Sequence, residues 1–220
     1  MPNMPQVLLD ETGFVVVNKP SGMLSEGGGG REEDLEQSVS GLVGRPVWCC
    51  HRLDRLTSGV VVLRKGKRFT KELASQFESG AVRKEYWLLV DGVWDRGIQK
   101  VESRIASMGR GVHANVEDGG KPAASTFSVL GADEGEAVTW LRGLLKTGRT
   151  HQLRLHALKA GCPVLGDPLY GVARSDGIFG LHARSLRMKH PGTGAALSFE
   201  AAPPEAWRVW LARFDGGEGR

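Results

Sequence analysis

Short apolar runs separated by polar turns dominate the chain and predict more strands than helices. FVVV at Phe14–Val17 reads as a buried strand ended by Asn-Lys-Pro and a turn. The β-branched run Val60–Leu63 and the run Tyr86–Val90 predict two more, and Ser125–Leu130 and Val138–Leu145 a further pair across an acidic turn. Helical spacing appears in four places. Asp34 caps a short helix, with Gln37 at the capping-box position and Leu35, Val39 and Leu42 at helical spacing. Thr70 is the expected cap of a second, with Leu73, Ala74 and Phe77 on one face and Gly80 as its stop. Thr150 is the expected cap of a third, HQLRLHALKA, which Gly161 ends. The tail PPEAWRVWLARF places Trp207, Trp210, Leu211 and Phe214 on one stripe, a docking face for the last helix. The glycine-rich, mixed-charge stretch from Asp91 to Gly120 yields no assignment, and Gly27–Gly30 reads as a flexible loop. Strands that outnumber helices and come in runs predict an α+β fold. Its sheet is expected to be mixed, mostly antiparallel and flanked by helices and loops, in a single domain spanning 1–220.

Composition adds limits rather than a function. At 220 residues with 40% hydrophobic and 25% charged positions, the chain is long and apolar enough for a sizeable core. No window approaches a membrane span and the N-terminus lacks a signal-peptide pattern, so a soluble, cytoplasmic protein in a reducing compartment is expected. Cys49, Cys50 and Cys162 form no disulfide framework. Cys49, Cys50 and His51 lack the spacing of a zinc site, so no metal is expected.

Net charge is only +4, but its distribution is uneven. Ala137–Gly166 holds no acid while Arg142, Lys146, Arg149, Arg154 and Lys159 fall within it; Ile178–Phe199 is likewise acid-free, and RKGKRFTK (Arg64–Lys71) is a third basic stretch. A positive face for a polyanion and scattered solvated cations both fit this pattern.

Three segments carry polar residues where a plain core strand would not. In CHRLDRLTSGVVVL, Asp54 sits between Arg52 and Arg55 ahead of a Thr-Ser-Gly turn into an apolar strand. Cations beside it favour an ionised nucleophile, whereas the turn alone would explain an Asx-type residue. In VRKEYWLLVDG, Tyr86 opens an otherwise apolar strand, either as a buried structural ring or as one lying over a ligand. In LLKTGRTHQLRLHALKAGCPVLGDPLYG, His151, Arg154 and Leu158 share a helical face, and Arg149, Thr150 and His151 surround the helix start. An anion site and a solvated basic face both fit.

HRLDRLTSG resembles the signature of the RluA family of RNA pseudouridine synthases. DETGFVVVNKPSGMLS, RKEYWLLVDG, GRTHQLRLH with GCPVLGDPLYG, and LHARSLRMKHP ending in FEAAPP resemble further family segments, in order over most of Leu9–Pro204. The resemblance implies the pseudouridine synthase catalytic fold. It makes Asp54 the catalytic aspartate, Tyr86 the tyrosine against the uracil and Arg154 the arginine that pairs with the aspartate. Arg52 matches a position that fills the gap left by the departing uridine, and Lys19 and Pro20 an opening motif of structural role. The side chains expected to contact RNA are Arg52, Arg55, Lys84, Arg149 and His151. Ser125 stands where the family usually has threonine, keeping the hydroxyl. The catalytic motifs start within ten residues of the N-terminus, so the S4 domain that often precedes them is not expected.

The implied reaction breaks the N1–C1′ bond of uridine, turns the base and forms a C5–C1′ bond, with no cofactor. It requires a flipped-out nucleotide, a held base and a charge-stabilising carboxylate. The expected partner is ribosomal or transfer RNA, with no membrane association and no obligate protein partner, the chain acting as a monomer. Two rivals fit less of the chain. A non-catalytic RNA-binding protein has no need of Asp54, Tyr86 and Arg154 together. A retaining glycosidase needs a second carboxylate, and the motifs offer only Asp167, whose Gly-Asp-Pro setting reads as a turn.

Overall fold

The computed structural model describes residues 4–27, 32–174 and 176–215. In chain order the elements begin with β1 (Gln6–Asp10), β2 (Phe14–Lys19), α1 (Leu35–Val43), β3 (Val47–Cys49), β4 (Ser58–Lys65) and α2 (Thr70–Glu78). The middle holds β5 (Arg83–Asp91), β6 (Lys100–Gly109), β7 (Val112–Val116), β8 (Lys121–Asp133) and β9 (Val138–Leu145). Then come α3 (Gln152–Lys159), β10 (Leu181–Lys189), β11 (Ala196–Glu200), a 3-10 turn (Glu205–Trp207) and α4 (Arg208–Asp215). The pairs β1–β2, β2–β4, β3–β4, β5–β9, β6–β7, β6–β8, β8–β9 and β10–β11 are antiparallel, in keeping with the mostly antiparallel sheet expected. The chain divides into two compact units, Met1–Lys84 with Ala183–Pro204, and Glu85–His182 with Glu205–Arg220.

In the first unit the strand order is β1-β2-β4-β10, with β3 on β4 and β11 on β10. FVVV and VVVL are uninterrupted rather than alternating because both faces of β2 and β4 are buried: Val15, Val17, Val61 and Leu63 are as shielded as Phe14, Val16, Val60 and Val62. One face packs Phe14, Val16, Val60 and Val62 against Leu73 of α2 and Leu186 and Met188 of β10. Asp34 makes the expected capping box on α1, accepting from the Gln37 N–H at 2.9 Å while Gln37 Oε1 takes the Asp34 N–H. The cap of α2 differs from expectation. Phe69, at φ 63°, is the N-cap and Thr70 is already helical. Phe69 lies edge-on to the His190 ring at 5.9 Å, so a ring contact fixes the chain where a hydroxyl was expected. The glycine of Thr-Ser-Gly has a steric reason. Gly59 sits at φ +118°, and a Cβ there would lie 2.2 Å from the Ala183 carbonyl oxygen.

The second unit is a meander in the order β5-β9-β8-β6-β7. The stretch that the sequence left unassigned forms β6, β7 and their tight turn, followed by β8. The tail docks as its stripe predicted: Trp207 and Trp210 pack with Leu89, Val138, Leu165 and Ile178, with Leu211 and Phe214 against them. Helix α3 lies over the other cluster, Ile105, Ala123 and Leu155. Its cap is His151, at φ 58°, rather than Thr150. Gln152 does the bonding instead: its Oε1 accepts from the Arg149 N–H (3.0 Å) and the Thr147 hydroxyl (2.7 Å), and its Nε2 donates to the Ala124 carbonyl. The expectation for Gly27–Gly30 lies, from Gly28 on, outside the described residues. No helix among the described residues is long and apolar enough to cross a membrane.

Candidate active site

Asp54 stands in a loop bonded to the protein on every side. The Cys50 N–H donates to the Val62 carbonyl of β4 at 2.9 Å, carrying the β3–β4 ladder one residue further. His51 Nε2 then accepts from the Val62 N–H (3.2 Å) and its ring stacks on Phe77 at 4.7 Å. Burial, with Lys84 nearby, holds this imidazole well below its ordinary pKa, so it stays neutral. Leu53 is buried and exchanges two hydrogen bonds with Ser25, whose Oγ donates to the Leu53 carbonyl and accepts from its N–H. The turn after Asp54 is closed by the backbone, the Thr57 N–H donating to the Asp54 carbonyl at 3.0 Å. Any residue at position 54 supplies that carbonyl, so the turn does not explain a carboxylate there.

Lys19 ties this loop down from within. Its side chain is wholly buried, and Nζ donates to the carbonyls of Pro20 (3.0 Å), Met23 (2.7 Å) and Arg55 (3.1 Å). Burial pushes its pKa down to about 7, with the Asp54 charge partly opposing the shift. The structural role expected of Lys19 is therefore specific: one ammonium joins two loop segments and lies within electrostatic reach of Asp54. Pro20 belongs to the tied segment. Arg52 and Arg55 flank the loop in solvent, Arg52 3.4 Å from Glu26 and Arg55 3.0 Å from Glu32. Lys84 is half-buried, with Nζ 5.1 Å from the centre of the Phe77 ring.

In the second unit Tyr86 is buried on β5, in register with Gly143 of β9. Arg154 is buried too, which removes the reading of α3 as a solvated basic helix. Its guanidinium grips Asp167 with two bonds, Nε to Oδ2 at 2.7 Å and the second from Nη2 to Oδ1 at 2.8 Å. It also lies 4.8 Å from the centre of the Tyr170 ring and 5.5 Å from that of Phe179. Asp167 does make the turn read from Gly-Asp-Pro, accepting from the N–H groups of Leu169 (2.9 Å) and Tyr170 (3.2 Å). Its carboxylate does more than that, and the sequence reading missed it. The available signal was Arg154 itself, since a buried guanidinium requires a carboxylate partner.

Tyr170 was also missed. Its hydroxyl accepts from the His113 N–H (2.9 Å) and meets His151 Nδ1 at 2.7 Å, tying β7 to the start of α3. Arg149 is exposed, and its Nε donates to the Pro122 carbonyl at 3.0 Å. Below α3, Ser125 meets His156 Nδ1 at 3.0 Å and accepts from Gln152 Nε2 at 2.9 Å, and Ser103 meets His156 Nε2 at 3.1 Å. The hydroxyl retained at position 125 is thus fully used.

The acid-free runs of sequence are not acid-free in space. Lys65 pairs with Asp10, Arg142 with Glu85 at 2.8 Å and Arg184 with Glu200 at 2.7 Å. Charge segregation along the chain therefore overstates the unbalanced positive surface.

A held aspartate within reach of a buried lysine in the first unit, and a buried tyrosine and a clamped arginine in the second, on antiparallel α+β scaffolds, define a class of protein. The RNA pseudouridylate synthase family matches over residues 13–159, and the chain belongs to that family. The ribosomal large subunit pseudouridine synthase C of Yersinia pestis is 33% identical over 209 residues, 89% of this chain. The chain spans 64% of that relative's length. The tRNA pseudouridine synthase C of Salmonella typhi is 32% identical over 238 residues, 96% of this chain and 90% of the relative. Among solved structures, human RNA pseudouridylate synthase domain containing 4 superposes with a TM-score of 0.76 at 25% identity, covering 96% of this chain and 93% of its own. The α+β fold expected from the sequence is the one found.

Proposed function

We propose that the protein is an RNA pseudouridine synthase that converts uridine in ribosomal or transfer RNA to pseudouridine, the whole chain serving as one catalytic domain. Asp54 is the essential carboxylate, Tyr86 the tyrosine against the uracil and Arg154 the site's fixed cation. The observation that carries the reading is the Asp54 loop. Lys19, Ser25 and a main-chain turn fix its backbone through groups other than the Asp54 side chain. A rigid backbone holds the carboxylate in place before substrate arrives, which lowers the reorganisation needed at the reacting carbon. The uridine leaves its stack to reach this carboxylate, at a cost of a few kcal/mol that phosphate contacts offset. Arg52, Arg55, Lys84, Arg149 and His151 are the proposed RNA contacts. The reaction is atom-neutral: C1′ exchanges N1 for C5, the C5 proton is lost, and N1 gains one, so no cofactor is called for. We place the protein in the cytoplasm, acting as a monomer.

The test is to incubate unmodified ribosomal and transfer RNA with the wild-type protein and with Asp54→Asn, then map pseudouridine. Wild type is expected to modify discrete uridines, and Asp54→Asn to lose activity by at least about a thousandfold while still binding RNA. Near-normal turnover by Asp54→Asn sinks the proposed role, and an inactive wild type on every RNA sinks the function.

A further inference from the structure

The second unit contains a cavity of about 390 Å³ that the catalytic residues do not use, lined in part by Ser107, His113, Gly120, Lys121, Arg149 and Thr150. No acid lines it, although Glu117 and Asp118 lie in the neighbouring turn. Elsewhere in this unit buried and half-exposed cations find carboxylates: Arg154 meets Asp167, Arg142 meets Glu85 and Arg213 meets Asp133 and Glu136. Lys121 and Arg149 have no carboxylate within ion-pair distance among the described residues.

The chain is held at both cations. The guanidinium of Arg104 donates to the carbonyls of Gly119 and Gly120, pinning the turn from which Lys121 leaves. Gly120 packs so tightly that a Cβ would lie 2.8 Å from the Ile105 carbonyl oxygen. Arg149 has its N–H held by Gln152 and its Nε by the carbonyl of Pro122, the residue next to Lys121. A further polar atom of the lining lacks a partner: His113 Nδ1 is shielded from solvent and has no hydrogen bond among the described residues. Two neighbouring uncompensated cations repel one another, and an anion between them relieves that repulsion. A pocket of this size accepts a phosphate with part of its ribose.

We infer that this cavity is a subsite for one phosphodiester of the substrate RNA, away from the reacting uridine, an inference that rests on the function proposed above. It gives the β6–β7 hairpin a role as the outer wall of a backbone clamp.

The experiment compares wild type, Lys121→Ala, Arg149→Ala and the double variant, with Arg208→Ala as a control for the loss of one exposed charge. RNA affinity is measured against salt concentration, and KM and kcat on an RNA that wild type modifies. Each single variant is expected to weaken binding about 3- to 10-fold near 0.1 M salt, and Lys121→Arg to restore it. The double variant is expected to flatten the log–log salt slope by about 0.7, the loss of one phosphate, and to raise KM. A double variant whose slope and KM match those of Arg208→Ala overturns the subsite. So does inorganic phosphate binding that the double variant abolishes while its RNA slope stays unchanged, which would assign the cavity to a free anion. If wild type makes no pseudouridine, the functional reading fails, while the binding isotherms still decide the cavity.

Discussion

Replacing Asp167 with asparagine removes one negative charge and leaves the side chain's shape intact. Asp167 is 0% exposed and Arg154 4%, so neither charge can turn to water when its partner is lost. The asparagine amide can keep one oxygen on the guanidinium and on the N–H groups of Leu169 and Tyr170, but its NH2 faces a donor where Oδ2 had accepted at 2.7 Å. Losing one partner of a buried, doubly bonded pair costs about 3–5 kcal/mol. For a chain of this size each kcal/mol lowers Tm by roughly 2–4 °C, so the expected fall is about 6–20 °C. Thermal unfolding followed by circular dichroism, with urea titration as a second measure, reads this directly. Arg154→Met combined with Asp167→Asn should regain part of the loss, because the guanidinium that Asp167 balanced is then removed. A single variant that melts within about 2 °C of wild type would refute the claim that this pair is a dry structural clamp.

Two further outcomes follow from groups held in unusual states. His51 and His156 are kept neutral by burial, His156 down to about 4, so below pH 6.5 the unfolded chain binds protons that the folded one does not. Stability should then drop as pH falls, by about 1.4 kcal/mol per unit for each histidine, and for His156 the loss ends near pH 4. Lys19, pushed down to about 7, acts in the same direction higher up: from pH 7 the folded state sheds its proton first, and stability rises with pH. Desolvation pushes the thiols of half-buried Cys49 and Cys50 and of buried Cys162 up, so ionisation of the unfolded thiols offsets this rise from about pH 8.5. Urea titrations from pH 4 to 8.5 that show no upward trend would contradict these assignments. Gly59→Ala should cost about 2–5 kcal/mol through its clash with the Ala183 carbonyl and its positive φ. Gly41→Ala, with nothing within 4 Å of the new methyl in α1, should stabilise by about 0.5–1 kcal/mol. Urea midpoints that fail to split in opposite directions would count against both.

What the sequence revealed depended on whether a residue's neighbours in space were also its neighbours in sequence. The Asp34–Gln37 box is a three-residue interaction and was legible, as were the apolar runs of β2 and β4 and the tryptophan stripe of α4. The caps at Phe69 and His151 were not. Both put a large non-glycine residue at positive φ, held by contacts to His190 and to Tyr170 that lie far along the chain. The β6–β7 hairpin escaped notice because most of its residues face solvent and carry no alternating apolar face. Asp167 looks the same locally whether or not its carboxylate also meets a guanidinium thirteen residues earlier. Asp54 was picked out by its motif, but only the structure showed that its backbone is fixed by other groups.

The first unit is discontinuous in sequence, and this bears on how the chain is made. β4 ends at Lys65, yet β10, which lies beside it, is finished only at Lys189. β3 already pairs the Leu63–Lys65 end of that β4 edge, but at about 5–20 residues per second translation leaves its Val60–Val61 part without its partner for roughly 6–25 seconds. A β-branched edge exposed that long is a template for pairing with another nascent chain. The Arg-Lys-Gly-Lys-Arg sequence that closes β4 puts four positive charges at the end of this edge, where mutual repulsion opposes such pairing. That basic run can thus guard the protein during synthesis, whatever part it takes in holding RNA afterwards.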